Sequence, residues 1–409
     1  MTCRKGSTLF LLMVLLFTGS VPAYSSGWDK SVYGFLNYEA IFDSRAVVAA
    51  REGTVVLFPA GRELDPDGND LNGDASFNMM VLSSRLGGVL SGPDLFNASM
   101  RLHLEGDFLG TSRGLHHMAR LRHAYLSLEW PQTTLLAGQY WHPMFVTGCF
   151  PNTVSYAGGV PYHGLNRAPQ FRVSRSQGGF EFLAAILTHS DFASLGPEGS
   201  SSSYIRNSRI PESLARLSYR NETLLVGTTI GYQFLRPRKV SSEGFRTTQT
   251  MQGIQGNIYA VYNGSSATLK TQVNYGDNNS HLVMLGGYGE SKLLDPARGI
   301  YSYSGIRSLS AWADLEGGED TWKYGIFAGY AENLGSSEEI TGDAWVRGPN
   351  IAHMYRVAPR LVYLSGGTSL GFELVYDQAA YGEPDEMFRF AEKEDVQNLR
   401  GVVSLKHVF

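Results

Sequence analysis

Apolar and polar residues alternate one by one through most of the chain. The clearest run is 99–108, where Met100, Leu102, Leu104 and Phe108 stand against Arg101, His103, Glu105 and Asp107. Residues 32–43 set Leu36, Tyr38, Ala40 and Phe42 against Asn37, Glu39 and Asp43; residues 213–220 set Ala215, Leu217 and Tyr219 against Arg216, Ser218 and Arg220. A period of two puts successive side chains on opposite faces of a strand. Followed to the end, the pattern predicts about sixteen strands. They are 32–43, 77–87, 99–108, 118–130, 133–140, 170–175, 180–189, 213–220, 223–234, 256–262, 268–275, 308–315, 322–331, 355–364, 369–376 and 398–409.

The connections alternate in length. Turn residues at Gly92-Pro93-Asp94, Pro131-Gln132, Gly178-Gly179, Asn221-Glu222, Asn263-Gly264, Gly317-Gly318 and Gly366-Gly367 predict short links after even-numbered strands. Long loops follow odd-numbered strands, including a polar, turn-rich 52–73, then 141–168, 194–207, 236–252, 276–303, 335–349 and 380–396. Within 276–303, residues 281–287 are expected to extend a strand above the membrane. Closed transmembrane barrels combine an even strand count, short periplasmic turns and long outer loops. The expected fold is therefore all-β, a transmembrane antiparallel β-barrel. A soluble sandwich or propeller also alternates, but needs neither the loop rule nor aromatics at strand ends. Trp130, Tyr140, Trp141, Tyr219, Tyr232, Phe234, Tyr275, Trp322, Tyr330, Tyr363 and Tyr376 are expected to form an interfacial girdle.

Composition supports a barrel. Mean hydropathy is −0.16, too low for a helical membrane protein but suited to strands that meet lipid with alternate residues. Arg4 and Lys5, the apolar run 9–17 and Val21-Pro22-Ala23 read as a signal peptide over 1–23, leaving one domain over 24–409. Cys3 precedes the apolar run, where a lipobox cysteine cannot be. The 34 basic residues, less Arg4 and Lys5, face 38 acidic ones, a net of −6 that excludes a nucleic-acid partner. Cys149 alone remains, which excludes a disulfide and a multi-cysteine metal site. The last strand ends on Phe409, with Leu399, Val403 and Leu405 of the same parity, as expected of a lipid-facing signature read by the barrel assembly machinery.

Several motifs between 32 and 175 carry a resemblance. They are Tyr33-Gly-Phe-Leu-Asn-Tyr-Glu-Ala-Ile-Phe-Asp-Ser-Arg45, Ser84-Arg-Leu-Gly87, Leu104-Glu-Gly-Asp-Phe-Leu-Gly110, Leu121-Arg-His-Ala-Tyr125 and Leu136-Ala-Gly-Gln139. In these the chain resembles the DcaP-like porins of Gram-negative outer membranes. The resemblance implies an outer-membrane location, contact with outer-membrane lipid, a homotrimer and passage of small organic anions. Residues 141–151 depart from the family's pattern.

By count, 141–168 is the third outer loop, expected to fold into the lumen and narrow it. Arg85, Arg101, Arg120, Arg122 and Arg172 are the expected positive lining, with Glu105 and Asp107 near them. Lining charge and diameter set selectivity. The bland alternatives are a loop that covers the mouth, and charges that only neutralise one another. Arg120 and Arg122 share one parity and His123 takes the other. A histidine is out of place against lipid, which predicts that this strand lines a subunit interface. Asp65, Asp67, Asn69 and Asp70 resemble a calcium loop, but Asp70 stands where an EF-hand needs glycine, so a solvated turn is the better reading. His116, His117, His123 and His142 lie near serines, without a Gly-x-Ser-x-Gly elbow, and read as ordinary lumen histidines. No cofactor is expected. Three functions follow in order: a passive porin favouring small anions, a surface barrel that binds a partner through its loops with a closed lumen, and an outer-membrane hydrolase.

Overall fold

The computed structural model describes residues 27–111, 115 and 117–409. The expected signal segment 1–23 and His116 lie outside the described residues. Sixteen wall strands, each antiparallel to its neighbours, form a closed up-and-down barrel. In chain order they are β1 Asp29–Asp43, β2 Arg85–Leu95, β3 Ala98–Asp107, β4 Arg120–Glu129, β5 Thr133–Trp141 and β6 Arg167–Gln177. Then come β7 Phe180–Leu187, β8 Glu212–Arg220, β9 Leu224–Leu235, β10 Met251–Asn263 and β11 Ala267–Gly276. The wall ends with β12 Ile300–Gly318, β13 Trp322–Ser336, β14 Ile351–Ser365, β15 Thr368–Tyr381 and β16 Glu394–Val408. Pairing of β1 with β16, from Phe35↔Val408 to Asp43↔Arg400, closes the ring and removes every free edge.

Alternation sorts the wall as expected. On β7, Phe180, Phe182 and Ile186 are about half exposed, while Leu183, Ala185 and Leu187 turn inward and are buried. No described helix is long and apolar enough to cross a membrane; the strands do the crossing. The short links include Gly178-Gly179, both at positive φ, a conformation that costs glycine nothing. Phe409 closes the last strand. Its backbone exchanges hydrogen bonds with Gly34 at 3.0 and 3.1 Å. Its exposed ring covers the side of Gly34 where a Cβ would meet it at 2.7 Å.

Four local expectations need correction. The turn expected at Gly92-Pro93-Asp94 lies at Phe96-Asn97, both at positive φ; the strand absorbs Pro93 through a register shift between Gly92 and Leu95. The strand expected at 77–87 is split. Ser76–Met80 pairs with the outer half of β1 and β2 with its inner half. In the gap Ser83 donates to Glu39 at 3.0 Å and accepts from Asn37 at 2.9 Å, satisfying polar groups of β1 that face inward. Residues 52–73 are not polar throughout: Val47–Ala50 and Val55–Pro59 form a hairpin whose second strand is wholly buried. Residues 280–282 form a buried 3-10 turn, and the strand above the membrane begins at Gly286.

The lumen is far from empty. Val55, Leu57 and Phe58 of the hairpin join Val146, Val160, Tyr162 and Leu165 of the third outer connection against Trp312, Phe327, Met354 and Val375 of the wall.

Candidate functional site

The third outer connection, residues 142–166, leaves β5 and returns at β6 by way of the opposite wall. Asn257 of β10 donates to Met144 O at 3.1 Å, and Asn274 of β11 and Ser310 of β12 donate to Tyr162 O at 3.1 and 2.8 Å. Asn152 N reaches Asp314 of β12 at 3.0 Å. Arg356 of β14 donates to Gly158 O at 2.6 Å and Val160 O at 2.8 Å. Glu373 of β15 accepts from Val154 N at 2.8 Å and Ser155 N at 3.1 Å. An irregular loop inside a barrel must find partners for its peptide groups, and here the inward polar side chains of the wall supply them. Burial pushes the loop's Cys149 thiol up to about 12, so it is an inert small residue.

The near wall carries an arginine-rich cluster, while the opposite wall holds pairs such as Arg356 with Asp377 and Arg360 with Asp314. Arg120 grips Asp107 with two bonds of 2.9 and 2.7 Å. Arg122 bonds Glu105 at 2.7 Å, Asp107 at 3.0 Å and the Tyr156 hydroxyl of the loop at 3.0 Å. Arg85 stands 3.6 Å from Glu105. Asp191, from the loop after β7, joins Arg120 and Arg51 at 3.3 Å each and also pairs with Arg167. Five arginines, Arg51, Arg85, Arg120, Arg122 and Arg167, thus share three carboxylates, Glu105, Asp107 and Asp191, leaving two positive charges over. Burial raises the Tyr156 hydroxyl, but the guanidiniums of Arg122 and Arg120 outweigh it and hold the group below its ordinary value. Burial also raises Asp191, and Arg167, Arg120 and Arg51 reverse that.

A register shift explains how Arg120, Arg122 and His123 all enter this cluster. Asp107 pairs with Arg120 and Glu105 with His123, so Arg122 is an extra residue in the ladder. Such a bulge turns two consecutive side chains to one side. His123 is buried inside and not lipid-facing, which removes the reason for placing β4 at a subunit interface.

The sequence-selected residues therefore divide. Arg85, Glu105, Asp107, Arg120 and Arg122 meet; Arg101 and Arg172 do not. Arg101 lies near the short-turn end, 3.5 Å from Glu129 and largely exposed. Arg172 donates to Trp141 O at 2.6 Å and to Gln170 at 3.0 Å, with its guanidinium over Tyr140. Tyr140 and Trp141 accordingly belong to the lumen and not to a girdle; Trp141 stacks on Phe145 at 4.0 Å. Below the loop, Glu181, Arg216, Arg220, Tyr259 and Gly148 line a cavity of about 520 Å³. Asp65 accepts from Asp67 N and Asn69 N, and Asp70 from Glu63 N, Asn72 N and Arg45, so the acidic loop uses its carboxylates on itself and one arginine.

With this geometry in hand, solved structures supply the comparison. The outer membrane channel DcaP of Acinetobacter baumannii superposes with a TM-score of 0.67 at 14% identity, covering 94% of this chain and 98% of that one. The anion-selective porin from Comamonas acidovorans gives 0.55 at 11% identity, covering 93% and 100%. This is a porin fold. OmpT of Vibrio cholerae adds another porin-fold likeness, 0.55 at 12% identity over 95% and 99% of the two chains, and its in-vitro folded trimer form gives 0.54. No protein-family model and no curated protein matches the chain.

Sequence reasoning missed several residues of the lumen. Arg51 and Asp191 come from loop positions with no periodic signal, and Arg167 opens β6, in a stretch expected to be loop. Tyr33 donates to Glu105 at 2.8 Å and contacts His103, which bonds Tyr125 at 2.6 Å, all just beneath the arginines. His142 is not an ordinary lumen histidine either. With His189 and His281 it surrounds Glu212 of β8, all four fully buried. His142, Glu212 and His281 each bring a ligand atom within 4.8 Å of the others.

Proposed function

We propose that the chain is an outer-membrane porin in which residues 142–166 narrow the lumen and an arginine surplus beside them favours small organic anions. One observation carries the reading: the loop's backbone is bonded across the lumen, and at its root the wall and neighbouring loops bring five arginines against three carboxylates. Lining charge, not the net −6 expected once residues 1–23 are removed, sets the local field. Arg216 and Arg220 at the cavity below extend the positive side of the path. Assembly as a homotrimer is the expected state, in line with the trimer form of one fold neighbour. Phe409 is the residue we assign to recognition by the assembly machinery, and small anionic solutes are the cargo of what we read as a channel and not an enzyme.

A second reading has its own support. The apolar packing of Val55, Phe58, Val160 and Phe327 inside the barrel suits a lumen closed by its loops, with the outer loops binding a partner. Conductance of the refolded protein in a planar bilayer separates the two. Discrete channel steps support the porin; a folded barrel that seals the bilayer supports the closed reading.

A further inference from the structure

We propose that His142, Glu212 and His281 form a buried site for a divalent transition metal of the zinc type, which staples the outer loops to the wall. The three histidines come from three different outer connections: His142 from 142–166, His189 from the loop after β7, and His281 from the one after β11. They converge on one carboxylate at the outer end of β8. His142 Nε2 lies 3.1 Å from Glu212 Oε1, and His281 Nε2 lies 3.5 Å from Oε2. Ligand atoms on a tetrahedral metal, with arms of about 2.0–2.1 Å, stand about 3.3 Å apart; one atom from each of the three residues lies within 4.8 Å of the others, so small side-chain shifts close them on one ion.

His281 is held loosely for so buried a group: its Nδ1 has no hydrogen-bond partner, and its Nε2 has only the 3.5 Å contact with Glu212. A buried imidazole so weakly bonded is costly, and a metal at Nε2 would replace the long contact. His189 takes the outer-shell role: its Nε2 bonds Glu212 Oε2 at 3.0 Å and its ring stacks on His281 at 4.4 Å. Gln255 donates to Oε1 from β10. Outer-shell groups of this kind orient first-shell ligands. Two imidazoles and a carboxylate, with no thiolate, select zinc and its neighbours over calcium or magnesium. Binding asks one local change. Met144 N now donates to His142 Nδ1 at 3.2 Å, so Nε2 carries the ring proton. Coordination through Nε2 moves that proton to Nδ1 and gives up the Met144 contact.

The test uses the full folded barrel in detergent, stripped with a chelator and titrated with Co²⁺ and then Zn²⁺. We expect one metal per chain, visible d–d bands from Co²⁺ that Zn²⁺ abolishes, and protection of the loop after β7 from protease. His281→Ala and Glu212→Gln should each weaken binding by more than about 100-fold, since outer-shell changes alone cost about 10–100-fold. Gel mobility shows whether each variant folds, and the native titration stands without them. A native folded barrel that gives no cobalt bands, or a folded His281→Ala that binds like the native protein, overturns the proposal. Both results are independent of whether the lumen conducts.

Discussion

The arginine cluster on β3 and β4 and the histidine cluster on β8 lie on the two sides of the base of residues 142–166. Both are buried, and both tie that loop to the barrel. They differ in what they leave over. The arginine side has more cations than carboxylates, and Arg51 Nε and Arg167 Nε and Nη1 have no hydrogen-bond partner. The histidine side has three imidazoles around one carboxylate, with His189 Nδ1 and His281 Nδ1 left without a partner. A surplus of N–H donors suits an anion; neutral imidazoles grouped on a carboxylate suit a metal. One barrel of porin fold thus offers two opposite chemistries, decided by which side chain meets each carboxylate.

The strongest way to break the arginine side is to remove its shared carboxylate. Asp107→Ala leaves Arg120 and Arg122 short of a partner in a buried place, and removing one partner of a buried ion pair costs about 3–5 kcal/mol. The midpoint of urea unfolding in lipid vesicles should fall accordingly. An unchanged midpoint would mean that the cluster is not what holds this wall.

The next effect lies in the loop between the clusters. Burial against Phe145 and Trp312 pushes His163 down to about 4 from its ordinary 6.5. With the folded value depressed, the unfolded loop takes up the proton first as pH falls. Loop stability is then complete above about pH 6.5, declines toward pH 4, and levels off below, for a total of about 3 kcal/mol. Amide exchange of residues 156–166 should speed up over that window in the native protein. In His163→Phe the dependence from this group should vanish; an identical pH profile in both proteins would remove His163 from the account.

A smaller effect tests the surplus itself. Arg51→Gln with Arg85→Gln removes the two extra positive charges while leaving the Arg120 and Arg122 pairs intact. A unit charge about 8 Å from a passing anion is worth about 2 kcal/mol at an effective dielectric near 20. The anion/cation permeability ratio should fall several-fold, less so at high salt. Smallest of all is Asp65→Asn in the exposed acidic turn, expected to stay within about 0.5 kcal/mol of native stability and to leave calcium without effect on melting. A calcium-dependent rise in melting that Asp65→Asn removes would restore that loop as a metal site.

Much of the barrel was legible because lipid on one side and a polar interior on the other impose a strict period of two. That rule placed fifteen of the sixteen wall strands, missing only the second, which it put at 77–87 instead of 85–95; the loop-length alternation numbered the third outer connection. It failed where the period breaks. Arg122 and His123 both point inward because of a one-residue bulge, which a strict period assigns to opposite faces. Phe96-Asn97 makes a turn without glycine, so Gly92-Pro93 drew the expectation three residues early. The apolar run Val55–Pro59 sits in a loop that serine, glycine and acidic neighbours made look solvated. Arg51, Asp191 and the three histidines around Glu212 come together only through the packing of separate loops, with Arg167 at the very start of β6, and no local pattern announces that.

A loop-narrowed pore with a positive surplus at its wall should show itself in the reversal potential of the native protein, recorded in a planar bilayer under a salt gradient. An open channel is expected, with a reversal potential on the anion-selective side that moves toward the cation side in the Arg51→Gln/Arg85→Gln variant. A folded barrel with no conductance, or a cation-selective native channel, would contradict it.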